Sequence, residues 1–491
     1  MGTQPQRAGL GGGDGIVRTF RKGAASIMEQ LRGWQLAGDG GWLLFASTTF
    51  VGLSNFVFHV VVSRLLGPAL YGALGSLLGF IMTLTVVVGA LQVAVVQAVA
   101  SVKTEPSAAV TSESIPLSLR RPMAAAVGLS AACVIILSAV STLVEGFLHL
   151  SSSVPIVLFG FFVGMSIVSL VPQGVLLGRL NFKVVAAAGA AGAVIRIAAA
   201  IALVEAGFGL NGAVLASVLS TGVMLGILAW PLRHELLAAA GAHLDVNMST
   251  VALSAAAVSG SAGLMGVAPI LARHLLSSDA AGYFAAANQA SQIALFAPGA
   301  VAIVSFPRFA AAAADKLKAR RLLVQAMAAV GLLGGLTAAI MLVAPRLVIN
   351  VLFGANYRPA AGALRFLAVA GGATAMINLL VYFHLARRSV VSTVLWPAVG
   401  LLVAFTMLLH GGMLTLAAIV ATTTLAVLLV MTVAAMRSLG RDEATRRWPY
   451  GPRHRRLRAA AGAIGAGSQD SAGSISTDPT FHERYNPIST R

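Results

Sequence analysis

The stretch VVSRLLGPALYGAL, residues 61–74, ends a long apolar run with an arginine, a Gly-Pro pair and a Tyr-Gly pair. A second stretch, PILARHLLSSDAAGYFAA at residues 269–286, repeats this order of features about 210 residues later. Two related halves are common in transporters. Because six apolar spans lie between the two stretches, we expect the halves to share one orientation and to be related by an axis along the membrane normal. The matched positions are Arg64 with Arg273 and Gly72 with Gly282.

The composition is that of a membrane protein. Hydrophobic residues make up 57% of the 491 residues and charged residues only 10%, a balance that no water-soluble domain of this size carries. The formal net charge is +18, from 34 Lys and Arg against 16 Asp and Glu. Residues 1–41 hold no apolar core of signal-peptide length, so we expect the first apolar segment to stay as an anchor. The single cysteine, Cys133, excludes an intrachain disulfide and a cysteine-cluster metal site.

Apolar runs long enough to cross a bilayer recur from Trp42 to Met436. Because a helix needs about 20 such residues to cross the hydrocarbon, the predicted fold is an all-α polytopic membrane protein with about twelve transmembrane helices. Lys and Arg concentrate in alternate loops, which predicts a cytoplasmic (plasma) membrane protein with both termini cytoplasmic. The predicted spans are 42–66, 73–100, 122–144, 154–178, 184–205, 210–232, 249–272, 282–306, 322–344, 360–385, 390–410 and 412–436.

The same pattern divides the chain into five parts. They are a basic cytoplasmic segment at 1–41, an N-lobe at 42–233 with six helices, a linker at 234–248, a C-lobe at 249–436 with six helices, and a basic tail at 437–491. The end of the tail is rich in Gly, Ser and Ala and has no means of burying a core, which indicates disorder. The basic half of the tail either contacts anionic lipid or a cytoplasmic partner, or acts only as a positive-inside signal.

Several enzyme classes are excluded by what the sequence lacks. It has no G-x-x-x-x-G-K-[ST], nucleophile elbow, H-E-x-x-H or clustered metal ligands, so we predict that the chain does not hydrolyse ATP itself and has no catalytic residues, metal or cofactor. No carboxylate lies at mid-membrane. This disfavours a membrane glycosyltransferase and a proton- or sodium-driven drug exporter, since both usually use an intramembrane acid.

Cationic and neutral polar side chains occupy the membrane depth instead. Arg196 is the one full charge at membrane depth, away from the ends of the spans, and we consider it a candidate for substrate phosphate; the alternative is an arginine that snorkels or bonds a helix carbonyl. Asn55 and His59 lie four residues apart on one helix face, towards Arg64. Neutral amides suit either a hydrated cavity for a sugar or interhelical hydrogen bonds. The other candidates for substrate binding are Arg64, Arg273, Gln92, Asn288, Gln289 and Asn378.

Two segments resemble the signatures of one family. VVSRLLGPALYG, residues 61–72, resembles the Arg-x-Leu-Gly-x-x-x-Tyr-Gly signature of polysaccharide transporters. VLFGANYRPAAGALRFLAVAGGATAMINLL, residues 351–380, is similar to their later Phe-Gly-x-x-Tyr motif and the apolar helix after it. Over residues 42–436 the chain therefore resembles the O-antigen and teichoic-acid flippases of the multidrug/oligosaccharidyl-lipid/polysaccharide (MOP) exporter superfamily.

The resemblance implies two six-helix lobes around a central cavity. It also implies transport of a polyprenyl-diphosphate-linked oligosaccharide. The further partners that we expect are membrane lipids and glycan-biosynthesis proteins, and we expect no binding of nucleic acid. Arg64 and Arg273 are assigned to an outer gate, or alternatively to a hinge where they bond loop carbonyls. Gate or motif positions carried over or matched by the repeat are Gly67, Pro68, Tyr71, Gly72, Gly282, Phe353, Gly354, Tyr357 and Ala361.

Three other functions stay open at this point. A lipid II flippase belongs to the same superfamily, but such proteins often carry extra C-terminal helices, whereas a polar tail follows the twelfth span here. A membrane-embedded polymerase or ligase of lipid-linked glycans would need a sizeable outer loop, and every predicted outer loop is short. A scaffold of an envelope assembly complex would tolerate loss of the membrane-depth arginines.

Overall fold

A computed structural model describes residues 39–102, 119–237, 248–312, 315–387, 394–409 and 411–440. Residues 1–439 form one unit of contacts and residues 440–491 another, of which only Gly440 is described. Most of the predicted N-terminal segment at 1–41, of the linker at 234–248 and of the tail at 437–491 therefore lies outside the described residues, although the first helix begins at Asp39 and the last ends at Gly440. The described part of the chain is helical throughout and contains no strand.

Fifteen α-helices account for the described residues. Because the long helices are apolar around their circumference rather than along one stripe, they are helices of a membrane bundle rather than of a soluble surface. They are α1 Asp39–Val102, α2 Arg120–Ala139, α3 Ser141–Phe147, α4 Val154–Gly178, α5 Phe182–Leu203, α6 Gly209–Ala229, α7 Arg233–Leu237, α8 Met248–Leu275, α9 Ser278–Ser291, α10 Ile293–Ala311, α11 Lys316–Val343, α12 Pro345–Leu352, α13 Ala360–Ala386, α14 Leu395–Leu409 and α15 Met413–Gly440.

Helix α1 contains the first two predicted spans, and the chain reverses its direction between them. Gly67 has φ 72° and ψ 174°, a left-handed conformation that glycine adopts without strain, and Pro68 follows it. His59 Nδ1 lies 3.2 Å from the Tyr71 hydroxyl, although twelve residues of straight helix would span about 18 Å. The Gly-Pro pair therefore ends the first span, as the sequence predicts.

Helices α5 and α6 form a second hairpin. A π-helical turn at Val204–Phe208 joins them, and Gly207 in this turn and Gly209 directly after it have positive φ. Arg196 Nε donates to Ser217 Oγ at 3.1 Å, a contact that a straight helix would not allow over 21 residues. Seven described segments are long and apolar enough to cross a membrane, and two of them, Ala46–Phe80 and Phe182–Leu236, contain these reversals.

Every predicted span overlaps a described helix, but two predicted spans are broken and one short helix was not predicted. The predicted span 122–144 is broken after Ala139 into α2 and α3. The predicted span 282–306 begins earlier, where the Ser277 hydroxyl caps α9 by accepting from the Ala280 amide, and it is broken at Gln292. Helix α12, Pro345–Leu352, was not predicted because eight residues are too short to register as a span.

The hydrophobic core is continuous at one end of the bundle and divided at the other. We call the end that carries Gly67 and Gly354 the motif end, and the opposite end, with Arg179 and Lys316, the basic end. Towards the motif end a single cluster joins side chains of both halves of the chain, from Tyr71 to Phe353.

Towards the basic end the buried apolar side chains of the described residues form two separate clusters. One contains Leu176 and Leu228 of the first half, and the other contains Phe309 and Phe383 of the second half. The two halves of the bundle are thus packed together at the motif end, and each has its own core at the basic end.

Candidate functional site

The two halves cross most closely at a pair of glycines. A Cβ on Gly72 would lie 2.7 Å from the backbone nitrogen of Gly282, and a Cβ on Gly282 would collide with the carbonyl of Pro68. One turn further along, a Cβ on Gly75 would lie 2.9 Å from Ala285 Cβ. Gly72 and Gly282 are the matched positions of the predicted repeat. Since equivalent residues touch each other only near the axis that relates them, this crossing supports a two-fold relation of the halves.

Arg64 of the first half binds the second half. Its Nε donates to the carbonyl of Leu352 at 3.2 Å and its Nη2 to the carbonyl of Val351 at 2.6 Å. Both carbonyls belong to the last turn of α12, where helix carbonyls have no intrahelical partner and carry partial negative charge. The Arg64 side chain is exposed, so the pair of bonds lies at the surface of the motif end.

Arg273 of the second half makes the reciprocal contact with the first half. Its Nε donates to the Leu148 carbonyl at 2.8 Å, its Nη2 to the His149 carbonyl at 2.9 Å and its Nη1 to the Ala69 carbonyl at 3.3 Å. Leu148 and His149 directly follow α3, which occupies the place in the first half that α12 occupies in the second. We call the two arginines and the carbonyls of 148–149 and 351–352 the arginine clamp.

The two family-like motifs meet beside the clamp. The Tyr357 hydroxyl donates to the Ser63 carbonyl at 2.8 Å, and the Tyr71 ring lies 6.0 Å from the Tyr357 ring and 6.1 Å from the Phe353 ring between centroids. Gly354, with φ 94°, permits the turn that presents Tyr357. Burial raises the pKa of Tyr357, so its hydroxyl stays protonated and available as a donor.

Arg196 is held inside the first half by neutral groups only. Its Nη1 donates to Asn55 Oδ1 at 2.8 Å, its Nε donates to Ser217 Oγ, and its guanidinium carbon lies 3.9 Å from the centroid of the Phe58 ring. A guanidinium over an aromatic face is stabilised by the ring quadrupole. Among the described residues the one ion pair is Arg179 with Glu235, so Arg196 has no carboxylate partner there.

A narrow polar cavity lies between the halves. His59, Tyr71, Asn288, Gln289 and Gln292 line it together with small and apolar residues of α1, α8 and α9. Its volume is about 40 Å³. Since one water molecule takes about 30 Å³ of liquid, the cavity in this conformation has room for water and none for a sugar.

The remaining candidates for substrate binding occupy different places in the structure. Asn55 and His59 do not point to Arg64 as predicted, because Asn55 binds Arg196 and His59 contacts Tyr71. Asn288 and Gln289 lie in the cavity wall, whereas Asn378 is half-buried on α13 and does not line it. The side chain of Gln92 lies outside the described part of the structure.

Sequence reasoning missed Phe58, Ser217 and the carbonyls that the clamp arginines bind. Neither a serine within a run of small residues nor a backbone carbonyl can be recognised from the sequence as the partner of an arginine.

This architecture is the fold of the MOP superfamily transporters. An inward-facing multidrug resistance MATE family transporter of that superfamily superposes with a TM-score of 0.62 at 15% identity, over 79% of this chain and 94% of the other. The MATE transporter VcmN of Vibrio cholerae, as a point mutant, gives 0.59 at 17% identity over 86% and 99%. A MOP superfamily transporter of Pyrococcus furiosus, whose binding pocket is described as having reverse polarity, gives 0.55 at 14% identity over 81% and 93%.

The sequence assigns the chain to a protein family. Residues 61–362 match the model of the polysaccharide biosynthesis protein family, and the chain belongs to that family. The match begins in the first motif and runs through Gly354 and Tyr357 of the second. No curated protein matches the chain in sequence.

Proposed function

We propose that the chain is a flippase that carries a polyprenyl-diphosphate-linked oligosaccharide across the cytoplasmic membrane by alternating access. The observation that carries this proposal is Arg196, a cation within a span whose described partners are neutral. A cation in hydrocarbon is costly unless an anion or a wet cavity accompanies it. The anion that a polysaccharide precursor brings is its diphosphate, which a guanidinium binds through paired, charge-assisted hydrogen bonds.

The distribution of acids supports an anionic substrate. Glu145, Glu205 and Asp279 lie at or beside the motif-end termini of helices, and Glu235 and Asp315 lie at basic-end termini. The charge that the described residues place at membrane depth is therefore positive. The amides of the cavity wall add neutral donors and acceptors suited to sugar hydroxyls, which need hydrogen bonds and no charge.

The arginine clamp supports alternating access. With the clamp formed, the halves are joined at the motif end, and the cavity is too small for a sugar. Transport requires the halves to part at the motif end, which breaks the clamp bonds, after the sugar has entered from the basic end while its lipid tail stays in the bilayer. The clamp arginines thus serve as gate residues, and Arg196 is the candidate for substrate contact.

The membrane potential is sufficient to drive such a substrate. A negative cell interior favours outward movement of an anion by about 2.3 kcal/mol per charge per 100 mV. A diphosphate can therefore be driven without an intramembrane carboxylate and without ATP hydrolysis by the chain itself.

The test is deletion of the gene followed by complementation. We expect deletion to leave a lipid-linked glycan in the inner leaflet, identified by mass spectrometry and by protection from externally added lectin. Wild type and Arg365→Gln, which changes an exposed arginine on a spanning helix, should restore export, whereas Arg196→Gln should not.

Each alternative gives a different result in this experiment. Export restored by Arg196→Gln would favour a scaffold. An outer-leaflet glycan that fails to lengthen would favour a polymerase, and accumulation of lipid II would favour the peptidoglycan precursor as substrate.

A further inference from the structure

The α5–α6 hairpin carries a groove at the basic end that the transport proposal does not use. Lys183, Val184 and Ala187 of α5 form one wall, and Gly226, Ile227, Trp230 and Pro231 at the end of α6 form the other. Its volume is about 580 Å³, within the range of about 300–1,000 Å³ that small-molecule sites occupy. The lining is apolar except for Lys183.

The groove opens away from the interior of its half. Ala187 and Arg196 are nine residues apart on α5, which is two and a half turns, so they lie on opposite faces of the helix. Arg196 faces inward to Asn55 and Ser217. The groove therefore faces the surroundings of the bundle, which for a spanning helix pair is lipid.

The mouth of the groove carries positive charge that no carboxylate of the described residues pairs with. Lys183 and Arg233 are exposed, and the guanidinium carbon of Arg233 lies 4.8 Å from the centroid of the Trp230 ring. Glu235, the carboxylate of this helix end, is already held by both terminal nitrogens of Arg179, at 2.7 Å for Nη1. Arg233 Nη1 donates to the Trp230 carbonyl at 3.2 Å, a neutral group, so neither Lys183 nor Arg233 has a carboxylate partner among the described residues.

The exposure of Trp230 indicates the depth at which this site lies in the bilayer. Its side chain is 69% exposed although it is among the largest apolar groups in the chain. Tryptophan with an exposed ring and neighbouring cations is typical of the headgroup level of a membrane. The apolar groove then extends from the headgroup level into the acyl region.

We propose that this groove binds one anionic phospholipid, with its phosphate between Lys183 and Arg233 and one acyl chain along Val184, Ala187 and Ile227. Arginine can pair two hydrogen bonds with phosphate oxygens, and lysine adds a point charge. A zwitterionic lipid fits the apolar part equally well but brings no net charge for the two cations. Each cation near the surface favours an anionic headgroup by about fivefold, so the pair predicts a preference of about 25-fold.

Fluorescence of Trp230 tests the proposal in the full-length protein. In a background with Trp34, Trp42, Trp396 and Trp448 changed to Phe, reconstituted into vesicles, brominated phosphatidylglycerol should quench Trp230 at about 25-fold lower mole fraction than brominated phosphatidylcholine. Lys183→Gln with Arg233→Gln should remove this preference, and Lys183→Arg should retain it. The matched control is Arg320→Gln with Arg321→Gln, two exposed arginines of α11 at the basic end, which should leave the preference unchanged.

Four results would overturn the proposal. They are equal quenching by the two lipids, no quenching by either, an equal loss of preference in the control pair, or stronger quenching by a brominated polyprenyl phosphate than by phosphatidylglycerol.

Discussion

Removing a clamp arginine should open the motif end. Arg273→Met keeps the apolar stem and deletes the donors to three carbonyls, and the wild-type side chain is only 6% exposed. Hydrogen bonds from a charged donor contribute about 1.5–3 kcal/mol each, but water replaces them when the motif end opens. We therefore expect the three Arg273 bonds together to stabilise the closed state by about 3 kcal/mol. That value changes the ratio of open to closed molecules by about 150-fold.

Arg64→Met should act in the same direction and less strongly. Arg64 is exposed and makes two bonds, so solvent screening reduces the effect to about 1 kcal/mol, or about fivefold. The comparison of the two variants therefore tests whether burial sets the strength of each half of the clamp.

The assay is electron paramagnetic resonance with one label on each half at the motif end. Changing Cys133 to Ser leaves no native cysteine. The labels are then attached to two new cysteines at exposed positions, Ser151→Cys in the first half and Ala355→Cys in the second. We expect a longer distance to gain population strongly in Arg273→Met and weakly in Arg64→Met. Arg346→Met, an exposed arginine of α12, should match the wild type. Equal distance distributions in all four proteins would refute the clamp.

Three further outcomes follow from the same geometry. Gly282→Ala should lower the melting temperature of the purified protein, because the added methyl collides with the backbone at Pro68. The control Gly335→Ala, whose added methyl meets nothing within 4 Å, should raise the melting temperature slightly through better helix propensity. Equal shifts in the two variants would contradict the glycine crossing. Tyr357→Phe should destabilise the protein by about 1 kcal/mol through the lost bond to the Ser63 carbonyl, measured by denaturant unfolding, and no change would show that water replaces the hydroxyl. Transport in proteoliposomes should follow an imposed membrane potential and ignore an imposed proton or sodium gradient; the reverse dependence would contradict potential-driven export.

The helices were predictable because their signals are local. Long apolar runs separated by charge mark each span, and α4 has the bounds 154–178 that the sequence predicts. The reversal at Gly67 was also predictable, since Gly allows a positive φ and Pro removes a helix donor. The matched glycines of the repeat indicated a two-fold relation, although nothing in the sequence indicated that Gly72 and Gly282 would touch.

The partners of the arginines were not predictable. Arg64 and Arg273 bind backbone carbonyls, which every residue has, so no residue type reveals them. Helix α12 supplies two of these carbonyls and is too short to stand out in a hydropathy pattern. Arg196 was identified as a cation at membrane depth, but its contact with Ser217 depends on how α5 and α6 pack, which is a tertiary property.

The most direct test of the flippase proposal is transfer of a defined substrate in liposomes. Purified protein is reconstituted with a fluorescent polyprenyl-diphosphate-linked oligosaccharide, and a membrane-impermeant quencher reports which leaflet holds the fluorophore. The proposal predicts rapid quenching of the inner-leaflet pool with the wild type and with Arg365→Gln, and slow quenching with Arg196→Gln. Quenching as slow as in protein-free liposomes, or equal rates in wild type and Arg196→Gln, would contradict it.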